Sequence, residues 1–317
     1  MRVLYLGTPA AAVPPLKALL GSGHRVVGVV TRPDRPRDHR GGRPAPSPVK
    51  QVALDAGLPV LQPERGRDPA LPGQLAALAA DVGVSCAFGF LLPPPVLAVF
   101  PHGIVNLHFS LLPGYRGAAP VQRALLDGVE VTGVCTFLID EGMDTGPLLA
   151  CLQVPVLPEE DAGSLTARLA EIGAELVVST LNGLEDGSIR PRPQPRTGAS
   201  LAPKIDPAEA RLDFGAPAAR VVNAVRAFTP SPGAWTTFRG RRLKVARARA
   251  VPEGAAEGLD PGRLRLGPGG PAGARLLAGA GGGAVELVTV QPEGRRPMSG
   301  VEFARGARLG EEEWLGR

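Results

Sequence analysis

Cysteine is scarce in this chain of 317 residues: three are present, at Cys86, Cys135 and Cys151. Their number is odd, they are widely spaced, and no pair has the Cys-x-x-Cys spacing of a structural metal site. The pattern therefore argues against a disulfide framework. Because all three lie in apolar surroundings, we expect buried, free thiols in the reducing environment of the cytoplasm.

Long hydrophobic runs are also missing. No segment approaches the roughly 20 consecutive apolar residues of a membrane span. The apolar amino-terminal segment is interrupted by Gly7, Pro9, Pro14 and Pro15, so we interpret it as a strand and turn rather than a signal peptide. We therefore expect no membrane association, and the 44% hydrophobic and 21% charged residues are typical of a folded, soluble protein.

The glycine-rich motifs that bind nucleotides are absent as well. The first strand and turn read LGTPAAAV, with one glycine where the dinucleotide motif Gly-x-Gly-x-x-Gly has three. No Gly-x-x-x-x-Gly-Lys-[Ser/Thr] segment occurs anywhere in the chain. Dinucleotide binding is therefore not expected.

What is present is an alternation of apolar, strand-like runs with helix-like segments over the first part of the chain. The predicted strands are 2–7, 24–31, 81–90, 104–111 and 132–139, and the predicted helices include 47–56, 70–80 and 121–127. This alternation predicts an α/β fold with a doubly wound, mostly parallel sheet. Ligands of such folds bind beyond the carboxyl ends of the strands.

A proline-rich segment separates this part from the rest of the chain. Five prolines between residues 190 and 207 indicate an extended linker. After it come a predicted helix at 216–227 and predicted strands at 234–238, 243–248, 263–266 and 285–290, with 267–283 as a glycine-rich hairpin loop. We therefore predict an α/β domain at 1–190, a linker at 191–207 and a small β-barrel at 208–317.

Three polar residues alternate along one face of the fourth predicted strand. In GIVNLHFSLLPGY, strand alternation puts Asn106, His108 and Ser110 on one face and apolar residues, Phe109 among them, on the other. Both faces of a covered parallel sheet are normally apolar, so these polar groups need partners. A lone histidine is more often a satisfied core or surface residue than a catalyst, but the neighbouring asparagine favours a site.

An acidic loop, DEGMDTG at residues 140–146, follows the fifth predicted strand. Because loops after parallel strands meet at the same end of the sheet, we expect Asp140 or Asp144 to reach His108. Taken alone, the acidic loop is equally well explained as a solvated turn. Together, the two segments indicate a catalytic site without a metal, since no cluster of metal ligands accompanies them.

These two segments resemble the methionyl-tRNA formyltransferases. Asn106, His108 and residues 110–113 match the family's Asn-x-His-x-Ser-Leu-Leu-Pro motif, and residues 140–146 match its Asp-x-Gly-x-Asp-Thr-Gly motif. The similarity extends from LGTP near the amino terminus to QPEGRRPMS at 291–299. The Asn/His/Asp set is shared by all 10-formyltetrahydrofolate transformylases, whereas the RGAAP run and the second domain point to the tRNA-dependent member.

The resemblance implies catalytic roles for Asn106, His108 and Asp144. Asn106 and His108 would donate hydrogen bonds to the formyl oxygen as it becomes negative. Asp144 would orient a charged His108 and relay the proton that leaves the attacking amine. The implied co-substrate is 10-formyltetrahydrofolate, with no metal. The residues expected to bind the folate are Ser110, Leu111, Leu112, Pro113, Ala87, Phe88, Gly89, Leu91, Asp140 and Gly142.

Two residues depart from the family pattern. Phe109 stands where a small residue usually separates the motif's histidine and serine, and Phe88 replaces the tyrosine of an Ala-Tyr-Gly run. By strand alternation, Phe109 is expected to point away from the catalytic face. Phe88 lacks a hydroxyl near the expected folate pocket, so the affinity for folate is expected to fall if that hydroxyl contributes.

Charge is distributed unevenly along the chain. Residues 201–317 contain 18 basic and 12 acidic side chains, and two clusters stand out: five arginines in 32–43 and six cations without an acid in 239–249. On composition alone, either cluster is explained as solvated surface. The resemblance instead implies that 32–43 reads the acceptor end of the initiator tRNA, and phosphate contact suits the second cluster. The residues predicted to contact tRNA are Arg40, Arg37, Arg43, Arg242 and Lys244.

The function implied by the resemblance is transfer of a formyl group from 10-formyltetrahydrofolate to the α-amine of methionyl initiator tRNA, by a cytoplasmic monomer. A transformylase of a small amine, such as a nucleotide sugar or a purine intermediate, is the nearest alternative enzyme. It leaves the basic second domain and the Arg-rich loop unexplained. A catalytically idle RNA-binding protein is the alternative of another class, and the intact Asn106, His108 and Asp144 argue against it.

Overall fold

The computed structural model describes residues 1–36, 44–251, 258–267 and 273–316. Its internal contacts divide the chain into two units. The amino-terminal unit comprises Met1–Pro120, Val131–Pro155 and Thr166–Pro203, and the carboxy-terminal unit comprises Val121–Glu130, Val156–Leu165 and Lys204–Arg317.

Nine strands and six helices precede the proline-rich segment in the described residues. The strands are β1 (Arg2–Gly7), β2 (Arg25–Val30), β3 (Arg35–Pro36), β4 (Pro44–Ala45), β5 (Val60–Leu61), β6 (Val82–Cys86), β7 (Ile104–His108), β8 (Val131–Leu138) and β9 (Leu148–Pro155). The helices are α1 (Val13–Leu20), α2 (Pro48–Asp55), α3 (Leu71–Ala76), α4 (Pro94–Leu97), α5 (Pro120–Asp127) and α6 (Ala162–Glu185).

Seven of these strands form one sheet, in the order β5-β2-β1-β6-β7-β8-β9. The first five strands in this order are parallel, whereas β8 is antiparallel to β7 and β9 is antiparallel to β8. The central strands β1 and β6 are buried along nearly their whole length, which requires the apolar runs seen in their sequences. The predicted α/β class with a mostly parallel sheet is confirmed.

The direction of β8 differs from the prediction. In its register with β7, Leu138 lies beside Val105 and Cys135 lies beside His108. β8 therefore ends where β7 begins, and the argument that the acidic loop meets His108 because both follow parallel strands is wrong. The loop instead folds back along three residues of β7, roughly 10 Å at ~3.3 Å per residue.

None of the predicted helices covers α6, the longest of the described helices. Its 24 residues include three glycines and several β-branched residues, which are poor helix formers. Packing explains Gly173, because a Cβ atom there would lie 2.6 Å from a methyl group of Leu107 in β7. Contact with the sheet therefore outweighs intrinsic propensity along this helix.

Two of the three cysteines form a disulfide, so the expectation of three free thiols is wrong. Cys135 on β8 and Cys151 on β9 are direct neighbours in the antiparallel register, with Cα atoms 4.1 Å apart. The bond could not be foreseen because it depends on the register of two strands whose pairing the sequence left open. Cys86 is free and buried, as expected.

The carboxy-terminal unit is built on an antiparallel sheet of order β10-β11-β14-β13-β12, with β15 paired to β14. Its elements are α7 (Ala218–Phe228), β10 (Trp235–Phe238), β11 (Arg241–Val251), β12 (Leu264–Gly267), β13 (Arg275–Ala280), β14 (Gly283–Pro292), β15 (Met298–Ser299) and α8 (Gly300–Gly306). β13 lies inside the segment predicted as a hairpin loop, and that prediction is wrong. Its run of small residues, alanine and glycine, has a weak strand propensity and becomes a strand by pairing on both sides.

Residues 313–316 connect the two edge strands of this sheet. The Leu264 N–H on β12 donates to the Glu313 carbonyl oxygen (2.8 Å), and the Gly316 N–H donates to the carbonyl oxygen of Thr237 on β10 (2.9 Å). The segment therefore bridges the two edge strands and satisfies backbone groups that an open sheet would leave unpaired.

Candidate active site

A cavity of about 750 Å³ opens at the carboxyl ends of β6 and β7 in the amino-terminal unit. It is lined by residues of four segments, within 85–94, 106–109, 117–120 and 137–144, and by Arg67. Doubly wound sheets bind their ligands at this end of the parallel strands. The cavity therefore lies where the fold predicts a site, and both motif segments reach it.

His108 lines this cavity and is buried, with 6% of its surface exposed. Its Nε2 atom lies 2.9 Å from the carbonyl oxygen of Tyr115, and its Nδ1 atom lies 3.6 Å from Oδ2 of Asp144. A carbonyl oxygen only accepts hydrogen bonds, so Nε2 carries a proton and donates a hydrogen bond to the Tyr115 carbonyl oxygen. Nδ1 is then the nitrogen that gains or loses a proton, and it faces the carboxylate.

Asp144 is held in place by its backbone and by its neighbours. The residue has a φ of 53°, in the left-handed region, and the Gly117 N–H donates to its Oδ2 atom at 2.7 Å. Elsewhere in the loop, Oδ1 of Asp140 accepts hydrogen bonds from the Gly142 N–H (3.0 Å) and from Oγ1 of Thr145 (2.8 Å). Asp140 thus folds the acidic loop, while Asp144 faces the histidine.

Two opposing effects act on the pKa of His108. Burial lowers the pKa because it disfavours the charged imidazolium, and this effect is the larger. The negative charge of Asp144 and the hydrogen bond to Tyr115 raise the pKa, and the net result is a value below the usual one. The imidazole is therefore poised to accept a proton on Nδ1 and to share it with Asp144.

Asn106 and Ser110 have different environments, although strand alternation predicted that both share a face with His108. Asn106 is half-buried, pairs in register with Ser85 of β6 and lines the cavity. Ser110 is fully buried and its hydroxyl donates to the Gly114 carbonyl oxygen at 2.7 Å, which stabilises the turn after β7. The cavity thus receives two of the three polar side chains, with Asn106 as an amide donor.

The predicted folate-binding residues fall into two groups. Ala87, Phe88, Gly89, Leu91, Asp140 and Gly142 line the cavity. Ser110, Leu111, Leu112 and Pro113 are not among the residues that line it, and their contact with the folate stays a prediction. The turn packs against the sheet instead, where Leu112 belongs to a small core with Cys135 and Phe137.

Several lining residues were not predicted. Phe109 lines the cavity although alternation was expected to turn it away, because β7 ends at His108 and the alternation ends with it. Met143 and Arg67 also contribute, and no sequence pattern marks them. Phe88 packs edge-on against Phe90, with ring centroids 5.3 Å apart.

Of the residues predicted to contact tRNA, Arg37, Arg40 and Arg43 lie outside the described residues. Arg242 and Lys244 are exposed on the same face of β11 in the carboxy-terminal unit, as predicted. The Arg242 guanidinium stacks over the Trp235 ring, 4.4 Å from its centroid.

The other four cations of the cluster at 239–249 are paired with carboxylates. Arg247 and Arg249 contact Glu159, Arg239 contacts Glu313, and Arg241 lies 3.8 Å from Glu293. Within the described part of the chain, Arg242 and Lys244 are the cations of this cluster for which no carboxylate lies within ion-pair distance. These two side chains therefore remain available to an anionic partner.

No group of three or more His, Cys, Asp or Glu side chains is arranged to hold a metal ion among residues 1–36, 44–251, 258–267 and 273–316. Over the same residues, no helix combines the length and the apolar character that a membrane crossing needs.

Two parts of the chain match known protein domains. Residues 1–181 match the formyl transferase family, and residues 204–308 match the formyl transferase C-terminal domain. The chain belongs to the formyl transferase family. The first match covers the cavity with Asn106, His108 and Asp144, and the second covers β11 with Arg242 and Lys244.

Full-length relatives are similar over the whole chain. A methionyl-tRNA formyltransferase of Frankia casuarinae is 48% identical over 330 residues, which cover 100% of this chain and 96% of the relative. A methionyl-tRNA formyltransferase of Streptomyces coelicolor is 48% identical over 317 residues, which cover 100% of both chains.

Solved structures of lower identity have a similar fold. An N-formyltransferase from Helicobacter canadensis, solved with folinic acid and dTDP-3-aminofucose, is 17% identical with a TM-score of 0.67, covering 92% of this chain and 98% of that one. HypX from Aquifex aeolicus, solved with tetrahydrofolic acid, is 18% identical with a TM-score of 0.64, covering 98% of this chain and 48% of that one. At these identities the likeness concerns the fold alone.

Proposed function

We propose that this chain transfers the formyl group of 10-formyltetrahydrofolate to the α-amine of methionine carried by initiator tRNA, acting as a cytoplasmic monomer. The observation that carries the proposal is the buried His108, held between Asp144 and the Tyr115 carbonyl oxygen beside a cavity that Asn106 also lines. The relatives at 48% identity, both named for methionyl-tRNA, support the choice of substrates.

The chemistry of formyl transfer assigns each of the three residues a task. The amine nitrogen attacks the formyl carbon, and the carbonyl oxygen becomes negative in the tetrahedral intermediate. The amine then loses a proton, the bond from the formyl carbon to N10 of the folate breaks, and N10 gains a proton. The net change is therefore one proton moved from the amine to N10, together with the formyl group moved the other way.

Asn106 is the proposed hydrogen-bond donor to the negative oxygen. Its side chain lines the cavity from β7 and is half-buried, so the amide acts where water competes little. Removal of one such donor typically costs about 3–4 kcal/mol of transition-state stabilisation.

His108 and Asp144 are the proposed path for the proton. Nδ1 of His108 accepts it from the amine, directly or through water, and the Asp144 carboxylate stabilises the imidazolium that forms. The protonated Nδ1 is then a second donor to the negative oxygen before the proton reaches N10. Nε2 remains bonded to Tyr115 throughout, which keeps the ring oriented.

The two co-substrates are proposed to use different parts of the chain. We place the folate in the cavity against Ala87, Phe88, Gly89, Leu91 and residues of the acidic loop, within a catalytic domain at 1–190. The domain at 208–317 binds the tRNA backbone through Arg242 and Lys244, whose charges position the ligand without reading its sequence.

A single-turnover formylation assay tests this function. The protein is mixed with 10-formyltetrahydrofolate and initiator methionyl-tRNA, and Asn106→Ala and His108→Ala are compared with wild type. His102→Ala is the matched control, since His102 is exposed and outside the cavity. The expected result is formyl-methionyl-tRNA from wild type and from the control, with a loss of about a hundredfold or more in the two site variants.

The alternatives predict different results. Formylation of a nucleotide sugar or a purine intermediate, but not of the charged tRNA, would retain the catalytic site and overturn the tRNA assignment. Binding of the tRNA without any transfer by wild type would favour an RNA-binding protein that does no chemistry.

A further inference from the structure

Gln194 is the half-buried residue in an otherwise exposed stretch, 191–200, of the proline-rich segment. Its Nε2 atom donates to two carbonyl oxygens of the acidic loop, those of Asp144 and Gly146, both at 2.8 Å. Its Oε1 atom accepts two hydrogen bonds from Arg116, from Nε at 3.1 Å and from Nη2 at 2.6 Å. Both protons and both lone pairs of the amide are therefore used.

The two backbone segments that Gln194 joins are the ones that contact His108. The acidic loop supplies Asp144, whose carboxylate faces Nδ1. Arg116 lies between Tyr115, whose carbonyl oxygen accepts from Nε2, and Gly117, whose N–H donates to Asp144. One side-chain amide thus connects the partners of both ring nitrogens.

The sequence around Gln194 suits a fixed anchor. Pro193 and Pro195 flank it, and prolines restrict both their own φ and the conformation of the residue before them. Six residues further on, the same segment pairs with the loop before α5, where the Ser200 hydroxyl accepts from the Tyr115 N–H at 2.8 Å. The amide is therefore presented from an extended, attached backbone and loses little entropy on bonding.

The backbone of Asp144 explains why an anchor is needed. A φ of 53° is sparsely populated by residues other than glycine, and such conformations persist where the surroundings hold them. The hydrogen bonds from Gln194 hold the backbone at this strained position, through the Asp144 carbonyl oxygen, and two residues later, through the Gly146 carbonyl oxygen. Without them, the loop would relax and move Asp144 away from His108.

We infer that Gln194 is a positioning residue for the Asp144–His108 pair, acting through the backbone of the acidic loop and through Arg116. It touches neither the cavity nor the reacting atoms, so its effect passes through the pair. The inference deepens the proposed formyl transfer and rests on it for its catalytic consequence, whereas the effect on His108 itself needs no activity.

Two variants separate the possible roles. Gln194→Leu keeps the approximate volume and removes all four hydrogen bonds. Gln194→Glu keeps an acceptor for Arg116 but places a carboxylate against the carbonyl oxygens of Asp144 and Gly146. This variant therefore loses the hydrogen bonds to the acidic loop and keeps those from Arg116. Gln74→Leu is the matched control, because Gln74 is an exposed glutamine in α3.

The first measurement is the pH titration of the His108 ring by NMR, assigned by comparison with His108→Ala, in the absence of substrates. Since the charge of Asp144 raises the pKa of His108, Gln194→Leu, which adds no charge, is expected to lower that pKa, while the control leaves it unchanged. The second measurement is steady-state kinetics. We expect kcat to fall about tenfold or more in both variants, with the KM for 10-formyltetrahydrofolate within about twofold of wild type.

Several results would overturn the inference. A wild-type titration of His108 in Gln194→Leu would mean that the bonds do not position the pair. A rise in KM at unchanged kcat would make Gln194 a binding residue, and wild-type behaviour of Gln194→Glu would remove the acidic loop from the explanation. If wild type forms no formyl-methionyl-tRNA, the proposed function fails, and the NMR titration still decides on positioning.

Discussion

The carbonyl oxygen of Tyr115 lies 2.9 Å from Nε2 of His108, and Tyr115 itself has a φ of 58°. A backbone acceptor thus determines which nitrogen of the ring carries its permanent proton. The exchangeable proton is left to Nδ1, on the side of Asp144. This division of the two nitrogens is the basis of the first prediction.

Replacement of Asp144 by Asn should lower the pKa of His108 further. The carboxylate is one of the effects that oppose burial, so its removal leaves desolvation with less compensation. The titration midpoint, followed by NMR, should move to lower pH than in wild type, and the imidazolium should be lost at lower pH. An asparagine oxygen still accepts from the Gly117 N–H, so the loop should persist.

The same variant should formylate about 10²–10⁴-fold more slowly, as is typical when proton transfer loses its partner. An unchanged or raised pKa of His108 in Asp144→Asn would contradict the assignment of Nδ1 as the titrating atom.

Replacement of Gly146 by Ala should destabilise the acidic loop. A Cβ atom at this position would lie 1.8 Å from the carbonyl oxygen of Leu138, and backbone atoms cannot yield as a flexible side chain does. We expect a loss of about 1–3 kcal/mol in the free energy of unfolding by urea, together with reduced activity.

Gly73→Ala provides the control for this experiment. Gly73 lies inside α3, and nothing lies within 4 Å of the position of its Cβ. This substitution should instead stabilise the protein by about 0.5–1 kcal/mol through helix propensity. Equal effects of the two alanines would contradict the steric explanation.

The disulfide predicts a defined thiol count. Unfolded, unreduced protein should react with one equivalent of a thiol reagent, at Cys86, and with three after reduction. In the folded protein Cys86 should react slowly, because burial raises the pKa of its thiol to about 12. Mass spectrometry after alkylation distinguishes these states.

Reduction of the bond should also lower stability. Release of a loop with a sequence separation of 16 residues costs about 3 kcal/mol on the chain-entropy model. Cys151→Ser should show the same loss without a reductant, and addition of a reductant should then change nothing. Three reactive thiols before reduction would refute the bond.

Binding of tRNA should depend on Arg242 and Lys244 in a salt-dependent manner. Each phosphate contact that is lost should reduce the slope of log affinity against log salt by about 1. Arg242→Ala and Lys244→Ala should therefore weaken binding at low salt and flatten its salt dependence. Arg249→Gln is the control on the same strand, because Arg249 already contacts Glu159. A flat salt response of wild type would count against this basic surface.

The sequence patterns anticipated the sheet well where strands are buried on both faces. β1 was predicted with its bounds, and the predicted strand at 81–90 continues past the end of β6 at Cys86. Strand alternation also placed Arg242 and Lys244 correctly on one face of β11. In these cases the pattern within one segment is sufficient, since burial alone determines it.

Features that depend on contacts between segments could not be predicted in the same way. The direction of β8, the disulfide between Cys135 and Cys151 and the helix at 162–185 each require knowledge of a neighbour in space. The candidate site shows the same division. The motifs contain Asn106, His108 and Asp144, but the support from Tyr115 and Gln194 depends on contacts that no sequence pattern indicates.

β9 is one of the two edge strands of the seven-stranded sheet, is held to β8 by the Cys135–Cys151 disulfide, and follows the acidic loop directly. An edge strand can unfold locally and transiently while the interior of the sheet stays folded, because such partial openings need less free energy than global unfolding. Reduction of the disulfide removes the covalent hold on β9, so warming of the reduced protein would detach the carboxylate from its histidine before β1 and β6 are disturbed. The resulting loss of activity on warming should occur before the protein unfolds and should reverse on cooling.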